Sequence, residues 1–117
     1  MATIVPLKIT EDGVTGALGN CAGGGDEFTN SGVEFIRIYN GNASTRTVTV
    51  TAQTTNYYLP RYGKLTKSNT TKTVANGETI LLGPFRPNTW NDANDKVQIT
   101  YDAVTDLKIE VLYLEQK

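Results

Sequence analysis

Between Val33 and Ala52 two runs rich in apolar residues flank a polar stretch, and the second alternates apolar and polar residues with a period of two. The run Val33-Glu34-Phe35-Ile36-Arg37-Ile38-Tyr39 is rich in β-branched and aromatic residues, which suit a pleated, half-buried surface. The run Arg46-Thr47-Val48-Thr49-Val50-Thr51-Ala52 alternates without a break, placing Val48, Val50 and Ala52 on one face and Thr47, Thr49 and Thr51 on the other. Between them, Asn40-Gly41-Asn42-Ala43-Ser44 tolerates positive φ and tight reversal, so the pattern predicts two strands joined as a hairpin.

The same reading extends to both ends. Ala2 to Ile9 is a short β-type run broken by Pro6, which has no N–H to give a ladder, so it suits an edge strand or an extended arm. The glycines from Gly13 to Gly25 make the next stretch a loop, free to move until something docks on it. Residues 54–63 are polar and aromatic, and Pro60 with Gly63 argues for an irregular surface excursion. Lys72–Ala75 and Glu78–Leu82 flank Asn76-Gly77, a short hairpin signal. Pro84 and Pro87 forbid a regular strand or helix interior through Gly83–Asn91, where Phe85 and Trp90 plug the core or its rim. Val97–Tyr101 alternates again. In the last run Leu107, Ile109, Val111 and Tyr113 share one face; Leu112 and Leu114 take the other, so its end is covered on both sides. No stretch has helical periodicity. The expectation is an all-β fold: residues 1–24 form an N-terminal arm and glycine-rich loop, and residues 25–117 a single antiparallel β-sandwich, with a jelly roll among its candidate forms.

Composition narrows the chemistry. With 117 residues there is room for one domain. Eleven basic residues face twelve acidic ones, and Lys64, Lys67 and Lys72 are too dilute to grip a phosphate backbone, so no nucleic-acid partner is expected. Histidine is absent, which removes the commonest general base and metal ligand. Cys21 is alone, so neither an intrachain disulfide nor a Cys/His nucleophile pair can form. No apolar run reaches the ~20 residues that span a bilayer, and the N-terminus lacks signal-peptide features, so no membrane partner is expected and the chain reads as mature, soluble and made in the cytoplasm.

The remaining candidates are weak. Asp92, Asn94 and Asp95 supply loop oxygens suited to calcium, but their spacing is not that of an EF-hand, and a turn capped by its own side chains is the simpler reading. Asp26 and Glu27 are adjacent and point apart on a strand, so they do not form a paired-carboxylate centre. Asn42-Ala43-Ser44 and Asn69-Thr70-Thr71 match the glycosylation pattern, a match expected by chance in this composition. Tyr57, Tyr58, Tyr62 and Trp90 are either an aromatic platform for sugars or partners, or the closure of the core's ends. No catalytic residue, cofactor site or metal site is expected.

Three motifs in order carry a resemblance: a lead-in of Gly25, Phe28, Asn30 and Gly32 before a strand ending at Asn40-Gly41 and the Thr-Val-Thr-Val-Thr strand; the Gly83-Pro84-Phe85 turn with Pro87 and Trp90 behind it; and the closing strands from Val97 and Leu107. Together they resemble small head-decoration (cement) proteins of tailed bacteriophages. The resemblance runs from Gly25 to the C-terminus, excluding the Asn56–Thr71 insertion; that insertion, Cys21 and the arm depart from the plan. It implies a non-catalytic β-sandwich that binds the major capsid protein on the outside of an assembled shell, made in the host cytoplasm and often assembling as a homotrimer around threefold axes. The residues expected to meet a partner are Ile4, Val5, Pro6 and Leu7 of the arm, with Tyr57, Tyr58, Tyr62, Phe85, Arg86 and Trp90. A carbohydrate- or surface-binding module and a tail or baseplate component are the alternatives.

Overall fold

The computed structural model describes residues 2–53, 56–59, 63–66 and 68–115, with backbone alone for 56–59 and 63–66. Among these residues the chain forms β1 (Ala2–Thr3), β2 (Leu7–Ile9), β3 (Gly19–Asn20), β4 (Asp26–Thr29), β5 (Phe35–Asn40), β6 (Arg46–Thr51), β7 (Asn56–Leu59), β8 (Gly63–Thr66), β9 (Thr70–Val74), β10 (Thr79–Leu82), the helical turn α1 (Pro87–Trp90), β11 (Lys96–Tyr101) and β12 (Leu107–Leu114). Two sheets pack face to face as a β-sandwich. One runs β1-β4-β11-β6-β9; the other runs β10-β5-β12-β2, with β3 beside the start of β12.

The period of two becomes a period in burial. Val48 and Val50 of β6, Ile36 and Ile38 of β5, Val97 and Ile99 of β11, and Ile109 and Val111 of β12 all turn inward and are buried. Removing that apolar area from water, about 25 cal/mol per Å2, is what holds the two layers together. Phe28, Phe85 and Trp90 close one end of the core: the Phe28 and Phe85 rings lie 6.2 Å apart, and Trp90 meets Phe85 edge-on at 5.5 Å.

Several expectations change at the connections. β5 and β6 do not pair: β5 lies between β10 and β12, while β6 lies between β11 and β9. The turn at Asn40–Ser44 therefore crosses from one sheet to the other. The Asn76-Gly77 turn does the same, because β9 joins β6 and β10 joins β5. Both crossings hang on one buried side chain. Asn40 Nδ2 donates to the Val74 and Ser44 carbonyls at 2.8 and 2.9 Å, and Asn40 Oδ1 accepts the Asn42 N–H at 2.9 Å. Gly77, at φ +77°, donates its N–H to the Asn40 carbonyl at 2.7 Å. Local turn chemistry favours reversal, but it does not say whether the returning strand pairs with its predecessor or with the opposite sheet.

The excursion after residue 53 contains regular structure, since β7 and β8 pair antiparallel as a separate two-stranded hairpin. Pro87 starts α1 at its first position, where a missing N–H leaves no helical bond unmade, so a single turn forms despite the prolines around it. The sheets are mixed rather than purely antiparallel. β1 runs parallel to β4 and β2 runs parallel to β12, so the N-terminal arm supplies an edge strand to each sheet in turn.

Candidate functional site

The two outward faces of the sandwich differ in chemistry. On the sheet containing β6, residues in register across the outside are Thr73 and Thr47; Thr71, Thr49 and Thr100; and Thr51, Gln98, Glu27 and Thr3. Lys96 Nζ and Gln98 Nε2 donate to the two Glu27 carboxylate oxygens at 2.9 and 3.0 Å, and Thr3 Oγ1 adds a third bond at 3.2 Å. Lys96, ahead of the Gln98 hydrogen bond, holds the Glu27 carboxyl below its usual range. This face is polar throughout its paired rows.

The outside of the β5 sheet begins with a row of Thr79, Tyr39 and Lys108, and beyond it carries apolar side chains around one ion pair. Leu81, Arg37 and Glu110 share a cross-strand row, and Phe35, Leu112 and Leu7 form the next. Ile9 and Leu114 are paired beyond them. Leu81 is 64% exposed and Leu114 58%, whereas Leu112 is buried on this outward face beneath the glycine-rich loop. Phe35 is crowded by the backbone of Gly83, where a Cβ would stand 3.1 Å from the Phe35 Cα at a φ of +118°.

Glu110 sits in the middle of β12, outward-facing and yet only 4% exposed. The loop from Thr10 to Leu18 covers it as a strap: the Ala17 N–H donates to Glu110 Oε2 at 2.8 Å, and β3 then pins the strap to Lys108 and Ile109 of β12. The Arg37 Nε lies 2.9 Å from Glu110 Oε1, but its N–H is not aimed at that oxygen, so the contact is electrostatic without a hydrogen bond. A buried carboxylate needs such partners, because desolvating it alone costs several kcal/mol. Between strap and sheet lies an open cavity of about 350 Å3, lined by Leu7, Ile9, Val14, Leu112, Arg37 and Glu110 along with two strap glycines. A hollow of this size and mixture suits a small ligand or an inserted side chain.

The core holds a second polar cluster. Tyr101 Oη donates to Asp26 Oδ2 at 2.7 Å, and the Ala22 N–H donates to the same oxygen at 3.1 Å. Asp26 faces the interior and Glu27 the exterior, as adjacent strand residues do. Burial pushes the Cys21 thiol up to about 12, against the lowering effect of its Tyr101 hydrogen bond, and burial likewise raises the Tyr101 phenol. A thiol so held is a poor nucleophile.

The residues expected to meet a partner fall into distinct places. Ile4 is half-buried and packs against the core, its N–H bonded to the Glu27 carbonyl at 2.8 Å. Val5, at the bend where the arm passes between sheets, is 84% exposed; Pro6 and Leu7 are half-buried. Phe85 and Trp90 are buried in the core, at 4% and 7% exposure, while Arg86 between them is exposed. The backbones of Tyr57 and Tyr58 lie in β7; their side chains and all of Tyr62 lie outside the described residues. Asp92 is the cap of its own turn: burial opposes its ionisation, but the Asn94 and Lys96 N–H groups at 2.8 and 3.1 Å outweigh this and hold the carboxyl low. Gln98 occupies its other oxygen at 2.7 Å, and among the described residues no group of three acidic, Cys or His side chains is arranged to hold a metal.

Sequence reasoning passed over Arg37 and Glu110. The available signal was charge inside two apolar runs, Arg37 in Phe35–Tyr39 and Glu110, with Lys108, in Leu107–Leu114. Neither a protein-family model, nor a curated protein, nor a solved structure matches this chain.

Proposed function

We propose that this protein is a virion structural protein that decorates and stabilises an assembled phage capsid by binding its major capsid protein. The observation that carries the reading is the contrast between faces: a threonine-rich outer face on one sheet, and on the other exposed Leu81 and Leu114 beside Phe35, Leu7 and Ile9. One apolar face on a small sandwich is what a protein that lies flat on a larger surface requires. The order of motifs from Gly25 to the C-terminus, which resembles head-decoration proteins, supplies the setting.

The physics of the role needs no catalytic group. A protein that binds the assembled shell and not its free subunits stabilises the shell by mass action. Many copies on one lattice turn a modest contact into avidity, and a homotrimer on threefold positions multiplies it further. The aromatic-platform alternative is weakened because Trp90 packs against Phe85 in the core. Light scattering during gel filtration tests the trimer: a mass near three times 12.7 kDa is expected. Co-sedimentation with shells and with isolated tails of the encoding phage tests the role itself. Saturable binding to shells supports it, and binding to tails alone overturns it in favour of a tail component.

A further inference from the structure

We infer that the cavity beneath the glycine strap is a carboxylate-binding site, receiving an acidic residue and a neighbouring branched apolar side chain from an extended segment of the shell protein. The identity of the partner rests on the decoration reading; the chemistry of the site stands on its own geometry.

Arg37 is the anchor. Its side chain is 39% exposed, while Nε is enclosed and makes no aligned hydrogen bond. Among the described residues, no hydrogen bond engages the remaining N–H groups of its fork. An arginine presents five donors in a plane that matches a carboxylate, and those on the exposed part of the side chain, which lines the cavity, are the ones an arriving acceptor can reach. Glu110 takes up only part of this fork, its Oε1 standing 2.9 Å from Nε. One of its oxygens takes the Ala17 N–H, and the other faces Arg37 without alignment. Leu7, Ile9, Val14 and Leu112 supply the apolar wall around this charge. Arg37 and Glu110 cancel in net charge, so a single site binds modestly, and the repeated lattice supplies the rest.

The strap explains how such a site stays accessible. Residues 11–17 are exposed along their length, and the Ala17–Glu110 bond holds the strap where it bridges the cavity. Gly16 stands over the pair: a Cβ there would lie 3.5 Å from Glu110 Oε1 and 3.8 Å from Arg37 Nη2. Glycine leaves the approach to the guanidinium clear.

The test uses the full chain and two probes, N-acetyl-leucine, with its free carboxylate, and its neutral amide, N-acetyl-leucinamide. Amide chemical shifts are followed at Val14, Gly16, Ala17, Arg37 and Leu112. The carboxylate probe is expected to shift these amides saturably and to bind about tenfold more tightly than the amide. Arg37→Gln should erase that preference, and Arg37→Lys should weaken it, because lysine keeps the charge without the fork. Well-dispersed spectra of both variants establish that they fold. Equal response to both probes, or no saturable shift at these amides, overturns the site. A second arm measures shell binding by wild type and Arg37→Gln. Loss of binding in the variant supports the shell segment as occupant; undiminished binding overturns that assignment even where the probe binds. If wild type itself fails to bind shells, the decoration reading fails, the shell segment goes with it, and the probe arm alone judges the carboxylate site.

Discussion

Tyr101 donates its hydroxyl to Asp26 across 2.7 Å inside the sandwich, joining β11 to β4 through a polar contact beside the Cys21 thiol. Asp26 is buried and, among the described residues, takes one other hydrogen bond, from the Ala22 N–H. Tyr101→Phe keeps the ring and removes the donor, leaving a buried carboxyl short of a partner. The expected loss is about 1–3 kcal/mol of stability in urea denaturation. A change within experimental error would show that the contact contributes nothing net.

The same cluster sets the alkaline behaviour. The folded thiol and phenol both bind their protons more tightly than in the unfolded chain, so their contribution is fully present below the unfolded values and fades as pH rises above them. The melting temperature should therefore decline above about pH 9, where an unfolded cysteine ionises. Cys21→Ala should flatten the decline. Native Cys21 should react slowly with a thiol reagent at pH 8 and rapidly in denaturant, because only the thiolate attacks.

Acid acts on the polar face. Glu27 and Asp92 have depressed carboxyl pKa values in the fold, so their contribution is present above the unfolded values and is lost as pH falls through the folded ones. Stability should drop as pH falls below about 4, and the Glu27→Gln/Asp92→Asn double variant should show a shallower acid limb. Thermal scans from pH 2 to pH 7 measure both, and a wild-type limb as shallow as the variant's would contradict the assignment.

Phe85 and Trp90 belong to the core, so their loss should be felt as instability. Phe85→Ala and Trp90→Ala should each cost about 3–5 kcal/mol, while Arg86→Ala between them should change stability by about 0.5 kcal/mol at most. Denaturation midpoints of the three variants check the ordering.

Deleting residues 1–10 should also destabilise the free protein. The arm's backbone bonds Ala2–Gly25, Ile4–Glu27 and Glu115–Ile9, at 3.1, 2.8 and 2.9 Å, go with it, and edges of β4 and β12 are uncovered. At roughly 1 kcal/mol each, those three bonds alone are worth about 3 kcal/mol. The readout is the melting temperature, and an unchanged value would mean the arm's pairing adds nothing to the free chain.

The strands were legible in the sequence because burial on one face imposes a period of two, and Val48, Val50, Ile99 and Ile109 obey it. Their partners were not. Asn40–Ser44 and Asn76-Gly77 carry hairpin residues but cross between sheets, a choice made by Asn40 reaching the Val74 carbonyl from far along the chain. The lead-in and the Gly-Pro-Phe turn looked like separate motifs; in the fold they meet, since Asn30 Nδ2 donates to the Phe85 carbonyl at 2.9 Å and Phe28 packs on the Phe85 ring. Their residues thus serve folding. The Arg37–Glu110 pair was hidden for a different reason: each charge looks like an ordinary outward residue of a half-buried strand, and only the strap laid over β12 encloses the pair.

The central proposal is binding to assembled shells, and the direct measurement is co-sedimentation of the purified protein with assembled capsids and, in parallel, with unassembled capsid protein of the phage proposed to encode it. Saturation at a fixed number of copies per shell, negligible binding to the unassembled protein, and a higher temperature of shell disruption are the predicted result. Absence of binding to shells, or equal binding to assembled and unassembled protein, would contradict it.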